Sequence, residues 1–121
     1  MNENKIRTFD TGATRDTEVG KLNYIKALSP LVLQKYIEYL GKHRIQTDGS
    51  LRDWNNWKLG ISKQTYIESL ARHLVALWLM HEGEVAYDNH GEVTIIDTLN
   101  AIIFNAMGYA YEILTEDENV S

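Results

Sequence analysis

The chain has 121 residues, of which 44% are hydrophobic and 24% charged, as is usual for one globular domain. Its formal net charge of -5 disfavours a nucleic-acid polymer or an anionic membrane as partner, because both attract basic surfaces. The absence of cysteine excludes disulfides, thiolate metal sites and cysteine nucleophiles. No apolar run approaches the roughly 18–20 residues that span a bilayer, and the first ten residues contain no signal-peptide core. We therefore expect a cytoplasmic protein without membrane contact.

Residues 1–28 are predicted to form an extended arm, because they contain turn-forming residues and show no sustained periodicity. The first helix is predicted to start at Ser29-Pro30, which fit the N-cap and the first helical position. Gly41 is a predicted C-cap for this helix. The basic residues Lys42, His43 and Arg44 follow it, and positive charge is stabilising near the negative end of the helix dipole.

Two further helices are predicted after a connecting segment that holds an Asp48-Gly49 turn and one short helical turn. The second helix is capped by Ser62 and extends to about residue 81, with one broad apolar arc. The third extends from near Thr94 to about Leu114 and is apolar around most of its circumference. Such a helix is central in its domain or lies in an oligomer interface.

The predicted fold is therefore all-α, a small bundle of three main helices with an extended N-terminal arm. We predict an arm over residues 1–28, a helical domain over 29–115 and an acidic tail over 116–121. Because two helices cover the third incompletely, we expect a homo-oligomer that completes the bundle.

Polar side chains interrupt the apolar faces of both later helices. Glu68 and Arg72 are four residues apart and either form a surface ion pair or belong to a site with His73. Glu82, near the end of the second helix, is either solvated or held by a cation. In the third helix, a stripe at spacings of three and four residues either allows close helix packing or forms the floor of a polar pocket. Its members are Asp97, Ala101, Asn105, Gly108 and Glu112.

The segment between the first two helices combines aromatic rings with amides. Trp54, Asn55 and Trp57 could stack on a nucleobase and read its edge. The alternative is that both tryptophans pack over the end of the bundle. The spacing alone leaves both interpretations open.

Several of these segments, taken together and in order, resemble a phage-associated family, the dATP/dGTP diphosphohydrolase N-terminal domains. That family is similar to the MazG-like all-α nucleotide pyrophosphohydrolases, and the resemblance covers about residues 11–114. The matching segments are Thr11-Gly12-Ala13-Thr14-Arg15, Gly20-Lys21-Leu22-Asn23-Tyr24, Ser29-Pro30, Asn55-Asn56-Trp57-Lys58, Gly60, Glu68-Ser69-Leu70-Ala71-Arg72-His73-Leu74, Asp97 and Phe104-Asn105-Ala106.

The resemblance implies a phage-encoded, metal-dependent pyrophosphohydrolase that acts on purine (deoxy)nucleoside triphosphates in the host cytoplasm. It implies Mg²⁺ or Mn²⁺ as cofactor, with catalytic roles for Glu68, Asp97 and His73. The implied metal ligands are Glu68, Asp97 and Glu82. The implied nucleotide contacts are Arg15, Lys21, Trp54, Asn55, Trp57, Arg72 and Asn105.

One feature of the MazG-like enzymes is missing from the sequence. Their paired-carboxylate motif, Glu-x-x-Glu with a later Glu-x-x-Asp, does not occur. Two alternatives to the enzyme therefore stay open. One is a non-catalytic sponge that sequesters a nucleotide or cyclic nucleotide made as a host antiviral-defence signal, without a cofactor. The other is a helical bundle with a structural or protein-interaction role.

Overall fold

A computed structural model describes residues 6–16 and 20–116 of the chain. It divides the chain into two compact units, Met1–Leu33 and Gln34–Ser121. Apart from Glu116, the predicted acidic tail lies outside the described residues. The prediction of a mostly helical protein is confirmed, and two short two-stranded sheets accompany the helices in the described residues.

The first unit contains more local structure than the extended arm predicted for it. Strands β1 (Ile6–Thr8) and β2 (Thr14–Asp16) pair antiparallel, and Gly12 turns the chain between them with a φ of +90°. A one-turn helix, α1 (Tyr24–Ala27), follows and is capped by the side chain of Asn23. Because each element spans only three or four residues, none produces a detectable hydrophobic period.

Helix α2 (Pro30–Lys42) begins in the first unit and continues in the second. The predicted cap is confirmed, since Ser29 Oγ accepts a hydrogen bond from the amide of Val32 at 3.2 Å. The prediction that Gly41 ends the helix is wrong, because Gly41 lies inside the last turn. Its missing side chain instead makes room for Trp54, whose Cη2 would lie 3.2 Å from a Cβ at this position.

The segment after α2 forms the predicted turn. The amide of Gln46 donates to Ser50 O at 2.8 Å, and Gly49 has a φ of +86°. One step further out, the amide of Arg52 donates to Arg44 O at 2.9 Å, which extends the turn into a short hairpin. A single 3-10 turn over Asn56–Leu59 leads into the next helix.

Helix α3 (Lys63–His81) has the predicted N-cap, because Ser62 Oγ accepts from the amide of Thr65 at 3.1 Å. It ends at a glycine in the left-handed region, Gly83, with a φ of +90°. The amides of Gly83 and Glu84 donate back to Met80 O and Leu79 O, so the last carbonyls of the helix are satisfied.

A further hairpin, formed by β3 (Tyr87–Asp88) and β4 (Gly91–Glu92), joins α3 to helix α4 (Ile95–Glu116). Helix α4 packs along α3 and also contacts α2, where Asn100 Nδ2 donates to Lys35 O at 3.4 Å. None of the helices in the described part of the chain is long and apolar enough to cross a membrane.

The inward face of α4 is polar and small rather than apolar, since its buried residues are Thr98, Asn100, Ala101, Asn105 and Gly108. Ala101, Asn105 and Gly108 belong to the predicted stripe, whereas its outer members Asp97 and Glu112 are half-buried. An apolar stripe at spacings of four, four, three, four and three residues is exposed along the same helix. It consists of Ile95, Leu99, Ile103, Ala106, Ala110 and Ile113, and is called the α4 stripe below. The apolar arc predicted for α3 is likewise covered on one side only.

Candidate functional site

One candidate site lies in the second unit, where the segment after α2 faces α3 and α4. It is an open cavity of about 270 Å³, called the first pocket below. Its side chains are Tyr39, Leu40, His43, Arg44, Arg52, Asp53, Trp54, Asn56, Trp57, Ile61, Ser69, His73, Phe104 and Asn105. Four residues predicted from sequence are therefore brought together here: Trp54, Trp57, His73 and Asn105.

The hairpin after α2 supplies the positive charge of the pocket. Arg44 Nε donates to Arg52 O at 2.8 Å, and the Arg44 guanidinium lies 4.7 Å from the centre of the Trp54 ring. A cation over an aromatic face is attracted by the ring quadrupole, so both side chains are oriented before any ligand arrives. Arg52 is exposed and adds a second guanidinium. With Asp53 as the one carboxylate among its lining residues, the first pocket carries a net positive charge.

The helices supply the opposite wall. Trp57 packs edge-on against Tyr111 with 4.8 Å between ring centres, which ties the 3-10 turn to α4. Asn105, which is 6% exposed, donates from Nδ2 to Ala101 O at 2.8 Å, and this bond orients its side chain on the pocket wall. The amide of Ile61 donates to Glu112 Oε1 at 3.2 Å and anchors the end of the segment to the same helix.

Three residues border the first pocket and a second cavity of about 260 Å³, called the second pocket below. They are Tyr39, His43 and His73. The ring of Tyr39 lies 4.2 Å from that of His43, and His43 Nδ1 is 2.9 Å from Tyr39 O, so a proton on Nδ1 completes that hydrogen bond. Burial, with the negative charges of Asp97 and Asp88, raises the pKa of Tyr39 to about 12.

The predicted metal ligands are placed apart. Glu68 is exposed and accepts from Gln64 Nε2 at 2.8 Å, whereas Asp97 lies in the second pocket with Lys42 Nζ at 3.0 Å. Glu82 borders an apolar surface cavity with Val75, Trp78 and Leu79. Within residues 6–16 and 20–116, no three His, Asp or Glu side chains form a group that could hold one metal ion. Glu68, Asp97 and Glu82 therefore form no such group in this part of the chain.

Two further predicted nucleotide contacts of the second unit, Arg72 and Asn55, line neither pocket. Arg72 is exposed and donates to Ser69 Oγ at 3.4 Å, so it does not form the predicted pair with Glu68. Asn55 is exposed ahead of the 3-10 turn, and its neighbour Asn56 borders the first pocket instead. Arg15 and Lys21 belong to the first unit, where both are exposed.

Two arginines of the first pocket were not predicted from the sequence. The signal that could have found them is the Asp48-Gly49 turn, because a hairpin centred there pairs Arg44 with Arg52.

Comparison of the chain with protein-family models, with curated proteins and with solved structures finds no significant match.

The imidazole of His73 predicts a pH dependence of stability. Burial lowers its pKa, the charges of Arg72 and His43 lower it further, and Asp88 opposes them. The unfolded chain therefore binds this proton more readily, so the contribution of His73 to stability is present above pH ~6.5 and is lost as the pH falls below it. We expect the melting temperature to fall more steeply from pH 7 to pH 5 in the wild type than in His73→Gln. Parallel curves from circular dichroism melts would contradict this assignment.

Proposed function

We propose that this protein binds a nucleotide in the first pocket. The observation that carries the proposal is the convergence of two tryptophans, two arginines and an oriented asparagine around one cavity. Indole rings offer stacking surfaces for a base, worth about 1–3 kcal/mol per base. Guanidinium groups bind phosphate through charge-assisted hydrogen bonds. The resemblance to nucleotide pyrophosphohydrolases points to the same ligand class.

The position of Arg52 provides the first test. Its guanidinium is exposed at the first pocket, whereas its backbone holds the hairpin, so Arg52→Gln removes the charge and keeps the fold. With dGTP or dATP as probe, we expect this substitution to weaken binding by roughly 10-fold to 100-fold, the usual loss for a hydrogen bond to a charged group. Isothermal titration calorimetry measures it.

The matched control is Arg72→Gln, which removes an exposed guanidinium that lines neither pocket. It is expected to keep the wild-type affinity. Equal losses in the two variants would attribute binding to net charge alone. If the wild type binds neither nucleotide, the proposal is refuted. The remaining alternative is then a helical bundle with a structural or protein-interaction role.

A second candidate function is hydrolysis of the bound nucleotide to a monophosphate and pyrophosphate. It is favoured by the family resemblance and opposed by the separation of Glu68 and Asp97 described above. Incubation of the protein with dGTP and Mg²⁺, followed by chromatography, decides between the two. If the wild type releases pyrophosphate and Glu68→Gln or Asp97→Asn does not, the protein is an enzyme. Intact dGTP released after heat denaturation identifies a binding protein, for which sequestration of an antiviral-defence signal is one use.

We also propose that the protein forms a homo-oligomer through the apolar side chains that its own helices leave exposed. On α3, an exposed stripe consists of Ile67, Ala71, Leu74, Val75 and Trp78. The eight large side chains of this stripe and the α4 stripe are each 37% to 64% exposed, and extended apolar surface of this kind is typical of protein–protein interfaces. Both stripes lack charges, so a second copy with the same apolar face is the partner that matches them.

A further inference from the structure

The second pocket is a separate cavity, and none of the tryptophans, arginines and asparagine proposed to bind the nucleotide lines it. It lies beside the first pocket, across the shared wall of Tyr39, His43 and His73. Each cavity alone is smaller than the roughly 300 Å³ at which ligand pockets usually begin. A ligand the size of a nucleoside triphosphate therefore extends beyond the first pocket, and the second pocket adjoins it at the three shared residues.

The two pockets carry opposite charge. The second is lined by three carboxylates, Asp88, Glu92 and Asp97, against a single lysine, Lys42. Lys42 Nζ lies 3.0 Å from Asp97 Oδ2, and Asp88 Oδ1 accepts from the amide of His90 at 2.7 Å, so both aspartates are oriented. The pKa of Tyr39 on the shared wall is raised mainly by burial, and the negative charges of Asp97 and Asp88 raise it further. An anionic group is therefore repelled from the second pocket and attracted to the first.

The floor of the second pocket is small and buried. Thr98 and Ala101 are each 3% exposed, and the hydroxyl of Thr98 donates to Thr94 O at 2.8 Å. Its donor is thus used within the helix. The three carboxylates contribute acceptors only, whereas Tyr39, Thr94 and Lys42 contribute donors around the same pocket. A cavity with a short floor and carboxylate walls accommodates a compact group that donates hydrogen bonds.

We infer that the second pocket is a subsite for an uncharged or cationic, hydrogen-bond-donating part of the same nucleotide, whose phosphates bind at Arg44 and Arg52. This inference rests on the proposed nucleotide binding. A sugar hydroxyl and an exocyclic amino group share this chemistry. Carboxylates accept hydrogen bonds from both, and loss of such a donor leaves a desolvated acceptor unpaired.

The test compares two pairs of probes by calorimetry. ATP and dATP differ in the 2′-hydroxyl, and dGTP and dITP differ in the 2-amino group. We expect the wild type to prefer the donor-bearing member of one pair by about tenfold. Preference for ATP assigns the subsite to the sugar, and preference for dGTP assigns it to the base. Equal affinity within both pairs would overturn the inference.

Variants locate that preference in the second pocket. Asp97→Asn and, separately, Glu92→Gln keep the side-chain size and remove one charge, and each is expected to reduce the preference to less than about threefold. The control Glu84→Gln removes an exposed carboxylate that borders neither pocket and keeps the preference. An unchanged preference in both subsite variants contradicts the inference while leaving the first pocket intact. Failure of all four probes to bind refutes the proposed function itself.

Discussion

Gly108→Ala is expected to unfold more readily than the wild type by at least about 2 kcal/mol. Alanine in place of glycine normally stabilises a helix by about 1 kcal/mol. At this position, however, the new methyl group would overlap the ring of Tyr66 and lie 2.6 Å from its hydroxyl oxygen. Tyr66 is only 1% exposed, so neither its ring nor the backbone of α4 can move without disturbing the contact between α3 and α4.

Chemical denaturation followed by circular dichroism measures this difference in the free energy of unfolding. In thermal melts, we expect the melting temperature of Gly108→Ala to be roughly 10 °C lower than that of the wild type. Gly41→Ala is the matched control, because it also adds a methyl group inside a helix. There the neighbour is Trp54, which is 50% exposed and can shift. Its stability should remain within about 1 kcal/mol of the wild type. Wild-type stability of Gly108→Ala would show that Tyr66 does not pack against this glycine.

Ile103→Arg is expected to convert an oligomer into a monomer of 13.9 kDa. Ile103 lies in the middle of the α4 stripe and is 39% exposed within the single chain, so the arginine can extend into water in the monomer. In an interface between two copies, the same charge would be buried without a partner, which costs several kcal/mol. Light scattering coupled to size-exclusion chromatography measures the mass of each species.

The control Gln64→Arg places the same charge on an exposed position of α3 that is outside the apolar stripe. It should retain the mass of the wild type. Circular dichroism of Ile103→Arg should show wild-type helicity, which separates dissociation from unfolding. A wild type that elutes as a 13.9 kDa monomer, or an oligomer unaffected by Ile103→Arg, would contradict the proposed interface.

Local signals in the sequence predicted the helix starts and the turn. Ser29 and Ser62 each cap a helix through a hydrogen bond to an amide three residues on, and Gly49 supplies the positive φ of its turn. These features depend on a few neighbouring residues, so they are visible without the fold. Gly41 was misread because a glycine near a helix end also fits close packing, here against a tryptophan thirteen residues later.

The site depends on contacts that a helical wheel does not specify. A helical wheel does not show which of the polar residues Glu68, Ser69 and His73 faces a pocket. In the structure, Ser69 and His73 line the first pocket and Glu68 is exposed. The polar stripe of α4 was predicted to be either a packing surface or a pocket floor. The structure gives it both positions, since Gly108 packs against Tyr66 and Asn105 borders the first pocket. Tertiary packing decided between faces that the sequence left equivalent.

The first pocket has one wall on a connecting segment and the other on two packed helices. The segment is held to α4 by few bonds, among them the Trp57–Tyr111 contact and the bond from Ile61 to Glu112. It can therefore detach in a local opening that leaves the α3–α4 contact folded. A ligand that bridges both walls would oppose this opening, so we expect it to slow amide hydrogen exchange in residues 44–61 more than in the helices. In the proposed function, ligand binding and the ordering of this segment are therefore thermodynamically coupled.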